Sequence, residues 1–259
     1  ELLAEKGIDV KRSGKTTCPE CSHTRKKKTD KCLSVNVEDG WFRCHNCSFH
    51  GRVFNKQPYK PKNKEYTRPY FVNNTNVHKD IVDWFARRYI KQSTIQKFKI
   101  SQSNPYFPQV GGQKTAINFN YFRDGELINI KYRDDQKNFI LHKNAELIFY
   151  NLDAIKDSKT VIIVEGELDT MAVDQCGRHD VISVPNGATL SENQNLEYLD
   201  NCISYLENKD KIIIATDNDD AGRKLRDELA RRLGKHRCYK VDFADQKDAN
   251  DYLAKYGEE

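Results

Sequence analysis

The chain has 259 residues, of which 37% are hydrophobic and 31% charged, with a formal net charge of +5. That length suits one large domain or two modest ones, with enough apolar content for a core under a polar surface. No apolar run approaches the roughly 18 residues of a membrane-crossing helix and the start of the chain lacks the apolar stretch of a secretory leader, so no membrane association and an intracellular address are expected. The first residue is Glu1 rather than Met, which is expected of a piece of a longer protein.

The charge is unevenly placed. Residues 1–70 hold 16 Lys and Arg against 8 Asp and Glu, or +8, which leaves the other 189 residues at −3. A basic N-terminal part points to polyanions, and acidic clusters further on point to metal ions.

Four of the eight cysteines form CPEC and CHNC, placing Cys18, Cys21, Cys44 and Cys47 in the spacing C-x2-C-x22-C-x2-C. Each C-x2-C turn offers two thiolates from one knuckle, and two knuckles complete a tetrahedral zinc site. Cys32, His23, His45 and His50 lie close enough in sequence to replace a ligand. In a short segment the metal supplies folding energy that a core would otherwise provide. "KCLSVNVEDGWFRCH" reads as two alternating strands around a Glu38-Asp39-Gly40 turn. "RKKKTDK", 25–31, lies between the knuckles beside Trp41 and Phe42. Cations interleaved with aromatics suit single-stranded nucleic acid, the favoured reading over a merely solvated loop, while either aromatic could equally be core.

A linker follows in "NKQPYKPKNKEYTRP", where Pro58, Pro61 and Pro69 favour extended chain. "DIVDWFARRYI" places Ile81, Trp84, Phe85 and Tyr89 at helical spacing, and "STIQKFKI" begins a second helix with Ser93 as N-cap. "TAINFNYF", "ELINIKYR" and "KNFILH" read as antiparallel strands divided by turns at Asp124-Gly125 and Asp134-Asp135. From residue 159 apolar strands alternate with helices, the pattern of a parallel sheet covered on both faces. Cys176, Cys202 and Cys238 read as buried thiols.

In this last part "TVIIVEGELD" ends a strand at Glu165, and Gly166 permits a sharp turn into a helix bearing Glu167 and Asp169. "IIIATDNDDAG" ends another at Asp217, Asp219 and Asp220, and "QKDANDY" adds Asp248 and Asp251 after the last strand. Ligand sites of parallel α/β sheets form at the carboxyl ends of their strands. Carboxylates gathered there repel unless a cation neutralises them, and a set of oxygen ligands suits Mg2+ or Mn2+. Each patch alone also fits helix capping or a first-turn acid.

"VEGELD" followed some 50 residues later by "DNDDAG" resembles the Toprim signature of primases, topoisomerases and some nucleases. With the four-cysteine module, the chain resembles the primase portion of phage-type primase-helicases and of the related Twinkle family, and more distantly DnaG primases. The resemblance runs from about Cys18 to Asp251 and is weakest across 55–100. It implies a zinc ribbon (zinc-binding) domain over 1–54, a linker over 55–69, the N-terminal α+β subdomain of an RNA polymerase domain over 70–155, and a Toprim parallel-sheet subdomain over 156–259. The fold class is α/β.

"IKYRDDQKNF" resembles the basic strand of that family, so Lys131, Arg133 and Lys137 are expected to hold nucleotide and template; their shared parity also fits the exposed face of a strand. "VPNGA" and "KDAND" resemble further family motifs, the second implicating Asp248. The 22-residue gap between knuckles is longer than in phage relatives and bears on template preference. The implied reaction is metal-dependent joining of ribonucleotides into a primer on single-stranded DNA. Glu165, Asp217 and Asp219 would hold Mg2+ or Mn2+, with Asp169 and Asp248 in support, and Cys18, Cys21, Cys44 and Cys47 a structural Zn2+. Lys131 and Lys137 would act in catalysis and, with Arg133, in substrate binding. Implied partners are ribonucleoside triphosphates, the DNA template, a replicative helicase domain and a replisome polymerase. The setting would be a bacterial host's cytoplasm for a phage protein, with a mitochondrion or other organelle left open.

Two other classes fit the same residues: a Toprim nuclease using water as nucleophile, and a non-catalytic zinc/Toprim DNA-binding protein of recombination. No G-x4-G-K-[ST] loop occurs, and "GGQKT" at 111–115 does not satisfy it, so helicase activity is not expected of these residues.

Overall fold

A computed structural model describes residues 2–37, 40–47, 49–53, 65–70, 76–190 and 195–258. The chain divides into two compact units, Glu1–Lys64 and Glu65–Glu259. The expected Glu38-Asp39 turn positions, and Pro58 and Pro61 of the expected linker, lie outside the described residues.

In the first unit a four-stranded antiparallel sheet runs in the order β1 (Gly14–Thr16), β2 (Leu33–Asn36), β3 (Trp41–Cys44), β4 (His50–Arg52). The alternating pattern of "LSVN" and "WFRC" sends Leu33, Val35, Phe42 and Cys44 inward, against Leu3 and Ile8. Phe42 is therefore core and Trp41 stands exposed. The outer strands β1 and β4 are too short for an alternation to register in sequence.

The second unit opens with α1 (Lys79–Ala86) and α2 (Gln92–Lys97). Ile81 and Phe85 are buried as the helical spacing predicts. Helix α1 stops before Tyr89, which takes a left-handed φ of 61° and is exposed, contrary to its expected place on the apolar face. Ser93 is not the N-cap of α2, which starts one residue earlier with Lys91 in that position. The helix start is served instead by Gln175, whose Oε1 accepts from the Lys91 N–H at 2.8 Å and the Thr94 hydroxyl at 2.9 Å. A long-range side chain thus replaces the local cap.

Strands β5 (Ser101–Ser103), β8 (Ala116–Arg123), β9 (Glu126–Arg133) and β10 (Phe139–Leu141) form an antiparallel sheet in the order β10-β9-β8-β5, and β6 (Tyr106–Phe107) pairs with β7 (Gly112–Gln113) in a side hairpin. Asp134 organises the turn after β9, accepting from the N–H groups of Gln136 at 2.9 Å and Asn138 at 2.8 Å.

A parallel sheet follows in the order β12 (Val181–Ser183), β11 (Thr160–Val164), β13 (Lys211–Ala215), β14 (Cys238–Lys240). Its connections are α3 (Glu167–Gln175), the short α4 (Glu197–Asn201) and α5 (Ile203–Leu206), and α6 (Asp220–Leu233), with α7 (Ala249–Tyr256) closing the unit. Both faces are covered, as the continuous apolar strands predict. Val161 and Ile163 belong to a core with Leu225 and Leu229 of α6, while Ile162 and Val164 belong to one with Phe243 and Ala249. Cys202 is buried, but Cys176 is exposed, against expectation, because α3 ends there at the surface. Among the described residues no helix is long and apolar enough to cross a membrane.

Candidate functional site

In the first unit the sulfurs of Cys18, Cys21, Cys44 and Cys47 all lie within 4.8 Å of one another. The Cys18–Cys47 and Cys21–Cys44 separations are 3.8 and 3.7 Å. A tetrahedron of thiolates about 2.3 Å from Zn2+ has edges of about 3.8 Å, so this donor set fits that ion. The N–H groups of Asn46 and Cys47 point at the Cys44 sulfur from 3.3 and 3.4 Å. Although burial opposes it, these donors draw the Cys44 thiol down to about 6, into the range where the metal-binding thiolate forms at neutral pH.

Cys32 is a fifth buried thiol, 3.9 Å from the Cys21 sulfur and 3.8 Å from that of Cys44, outside the convergent four. His23 and His45 are turned away, His23 to the Pro19 carbonyl and His45 to the Ser34 hydroxyl. In the basic loop, Arg25 pairs with Asp30 at 3.1 Å and Lys27 approaches it at 3.9 Å, so part of that charge is met locally.

In the second unit a cleft of about 620 Å³ is lined by Lys131, Arg133 and Phe139 from the antiparallel sheet, by Glu165 and Asp217 beyond the ends of β11 and β13, and by Asp248 at the start of α7. The register Val164↔Ala215 sets Glu165 and Asp217 one and two residues beyond paired positions on neighbouring strands. The Glu165 carboxylate accepts from the Ala188 N–H at 2.8 Å and the Asp217 N–H at 3.3 Å. Burial pushes its pKa up and the charges of Asp217 and Asp219 push the same way. Asp217 is raised chiefly by burial, against the pull of Lys247, whose ammonium lies 2.6 Å away. That partnership lifts Lys247 to about 12. Asp169, buried at the start of α3 on the cleft wall, is pushed well above the usual carboxylate range by burial and by Asp248, Asp217 and Glu165.

Two glycines make this rim possible. A Cβ on Gly166 would lie 2.8 Å from the Asp169 Oδ2, and one on Gly222 would lie 2.2 Å from the Asp217 carbonyl oxygen. The second clash is with backbone and cannot be relieved by a rotamer change. Gly222→Ala is expected to cost about 3 kcal/mol or more, read as a fall in Tm of roughly 6 to 12 °C; a melt within 2 °C of the native one would show that the α6 start can shift freely.

The acids divide into two kinds. Asp219 caps α6 by accepting from the Gly222 N–H at 2.9 Å, and Asp248 caps α7 by accepting from the Asp251 N–H at 2.8 Å. The capping alternative thus holds for both, and each keeps a second oxygen uncommitted by that cap. Asp248 follows the last strand, but at a helix start eight residues beyond β14 and not at the strand's end. Asp220 pairs outward with Arg223. Among the described residues no set of three carboxylates converges as the four cysteines do.

The three basic residues part company. Lys131 meets both oxygens of buried Glu167, at 2.9 and 3.2 Å. Arg133 is buried with its guanidinium 4.4 Å from the Trp84 ring centre and donates to the Asp134 carbonyl. Arg88 lies on the same indole at 3.7 Å. Burial lowers the pKa of both arginines, helped by the Arg87 charge at Arg88 and by the Arg88 charge at Arg133, where Asp134 and Asp135 pull the other way; neither forms an ion pair with a carboxylate among the described residues. Lys137 does not share their face: it falls in the Asp134 turn with φ 65°, exposed and outside the cleft lining. Sequence reading did not single out Lys247, Arg88 or Phe139, and it read Trp84 only as part of a helix's apolar face. For Lys247 the only signal was its place beside Asp248 in "QKDAND".

Residues 162–253 match the family model described as Toprim-like. An Arabidopsis thaliana primase homolog protein is 36% identical over 194 residues, which cover 69% of this chain and 56% of that protein. An Arabidopsis thaliana Twinkle homolog protein is 37% identical over 194 residues, covering 69% of this chain and 26% of that one. The chain thus spans about half the length of the first and a quarter of the second. The crystal structure of the primase fragment of the bacteriophage T7 primase-helicase protein superposes with a TM-score of 0.57 at 21% identity, covering 95% of each chain, which is a likeness of fold.

Proposed function

We propose that this chain, which resembles the primase portion of phage-type primase-helicases in its zinc-binding and Toprim regions, makes short RNA primers on single-stranded DNA during replication. One observation carries the reading: a single cleft is lined by two half-buried carboxylates with raised pKa, Glu165 and Asp217, and by Arg133, which forms no ion pair among the described residues. That pairing of an acidic rim with an unmatched cation suits a substrate that is anionic and arrives with a cation of its own.

Glu165 and Asp217 would hold Mg2+ or Mn2+, with Asp169 and the uncapped oxygens of Asp219 and Asp248 in support. When bound, the ion supplies electrostatic stabilisation of the attacking 3′ oxygen and the departing pyrophosphate. Lys247, which pairs with Asp217, would be free to face phosphate if that carboxylate held the ion. Arg133, with Arg88 on the same indole, would balance triphosphate charge, since a guanidinium not held in an ion pair can turn its donors to the ligand. Phe139, exposed at the cleft, offers a ring face to a base. Lys137, outside the cleft, would meet template or product rather than the reacting phosphate. The four cysteines would hold Zn2+ and fold the module that carries Trp41 and the basic loop, which would engage template. Helicase and polymerase partners follow from the same reading, as does a setting wherever the genome is copied.

The test supplies the chain with single-stranded DNA of mixed sequence, labelled ribonucleoside triphosphates and Mg2+ or Mn2+. Short labelled RNA is the expected product. Metal-dependent loss of the DNA with no RNA formed would make the cleft a Toprim nuclease instead, and neither activity would leave a DNA-binding role.

A further inference from the structure

Glu167 has no part in the reading above, yet it is one of the most enclosed charges in the second unit. Its side chain is 6% exposed, and both of its oxygens lie against the Lys131 ammonium, at 2.9 and 3.2 Å. The buried Tyr121 hydroxyl donates to the same carboxylate. Burial, and then the Glu167 charge, push the Tyr121 pKa well above its usual value, so the phenol remains a donor. Glu167 is therefore committed within the protein and fixed by two partners from strands β8 and β9.

Lys131 lines the same cleft as Glu165 and Asp217. An unpaired ammonium there would seek the nearest carboxylates, and Asp217 already shows that it accepts one lysine, Lys247. A second lysine on the rim would compete with any divalent ion for the same oxygens. Restraint of Lys131 thus bears directly on whether the rim is open to metal.

We infer that Glu167 is a positioning residue that holds Lys131 back from the acidic rim, leaving Glu165 and Asp217 to a divalent cation while the lysine's remaining N–H donors face the cleft. The inference rests on the proposed metal-binding role of that rim. It differs from a simple buried ion pair in one consequence: loss of Glu167 harms metal binding through Lys131, not through the fold.

The test is Mn2+ titration of the zinc-loaded full chain, followed by the electron paramagnetic resonance signal of free Mn2+, with Asp217→Ala marking the cleft site. Glu167→Gln, which keeps the side-chain shape and an acceptor for Tyr121, is expected to weaken Mn2+ binding roughly tenfold, the lower end for loss of a supporting charge behind a metal site. Adding Lys131→Met to that variant is expected to restore binding to within about twofold of native. Binding by Glu167→Gln within twofold of native overturns the inference, and so does a weakening that Lys131→Met fails to relieve. Should Glu167→Gln not fold, Tyr121→Phe loosens the same carboxylate and must weaken Mn2+ binding in the same direction, by less; unchanged affinity in that variant is equally fatal. Absence of Mn2+ binding by the native chain would sink the inference, whereas Mn2+ binding without primer synthesis would sink only the proposed function.

Discussion

Alanine at Asp217 or Glu165 is expected to abolish primer synthesis, lowering its rate at least about 10³-fold, which corresponds to roughly 4 kcal/mol of transition-state stabilisation. Retention of a tenth of native synthesis in either variant would remove the acidic rim from the chemistry. The raised pKa values add a signed consequence. The folded chain holds these two protons more tightly than the unfolded chain does, so without added divalent metal the stability they contribute is lost as pH rises from the ordinary carboxylate range through the raised folded values. Asp217→Asn is therefore expected to melt at or above the native temperature at pH 7.5 when Mg2+ and Mn2+ are withheld and zinc is kept. Synthesis should change in the opposite sense and fall as pH drops through the same raised values, because a protonated carboxyl holds no metal. A variant that melts well below native under those conditions would mean that the Asp217 pair with Lys247 outweighs the cost of crowding.

Removal of zinc is expected to unfold the first unit and spare the second. The apolar core of Glu1–Lys64 is small, built on Leu3, Ile8, Leu33, Val35 and Phe42 packed around the cysteines themselves. A structural zinc site supplies on the order of 10 kcal/mol or more in such modules, which exceeds what that core could provide. The second unit has separate cores on both faces of its parallel sheet. Cys44→Ser, or chelation of the native chain, should therefore make residues 1–64 sensitive to brief proteolysis and leave a resistant fragment beginning near residue 65. Full protection of the first unit with less than a tenth of an equivalent of zinc bound would contradict this.

What the sequence disclosed follows from the range of each interaction. The knuckles were legible because C-x2-C is a local geometry, and Glu165 and Asp217 because each directly follows a run of buried strand residues that itself reads clearly. Ser93 misled because a local cap was sought where Gln175, 82 residues away, does the work. Tyr89 misled because helical spacing continues past a point where the backbone turns left-handed. Lys137 shared the parity of Lys131 and Arg133 in sequence, but parity lapses once β9 has ended at Arg133. The Trp84 stack on Arg88 and Arg133 joins α1 to β9, and the Glu167 contacts join α3 to β8 and β9; neither has any signature in a short window. Asp219 and Asp248 were read as ligands or caps, alternatives that the structure shows to be compatible.

That compatibility limits which residues positions 219 and 248 can tolerate. Asparagine would keep the cap, since its carbonyl accepts from the same N–H, but would bring a neutral oxygen to the rim. Glutamate would keep the charge but, one methylene longer, would give up the short reach that N-capping needs. On the proposed reading each site answers to two independent demands that only aspartate meets together. A library randomised at either position and selected for primer synthesis should return aspartate almost alone, whereas one selected for folding should return asparagine, serine and threonine beside it.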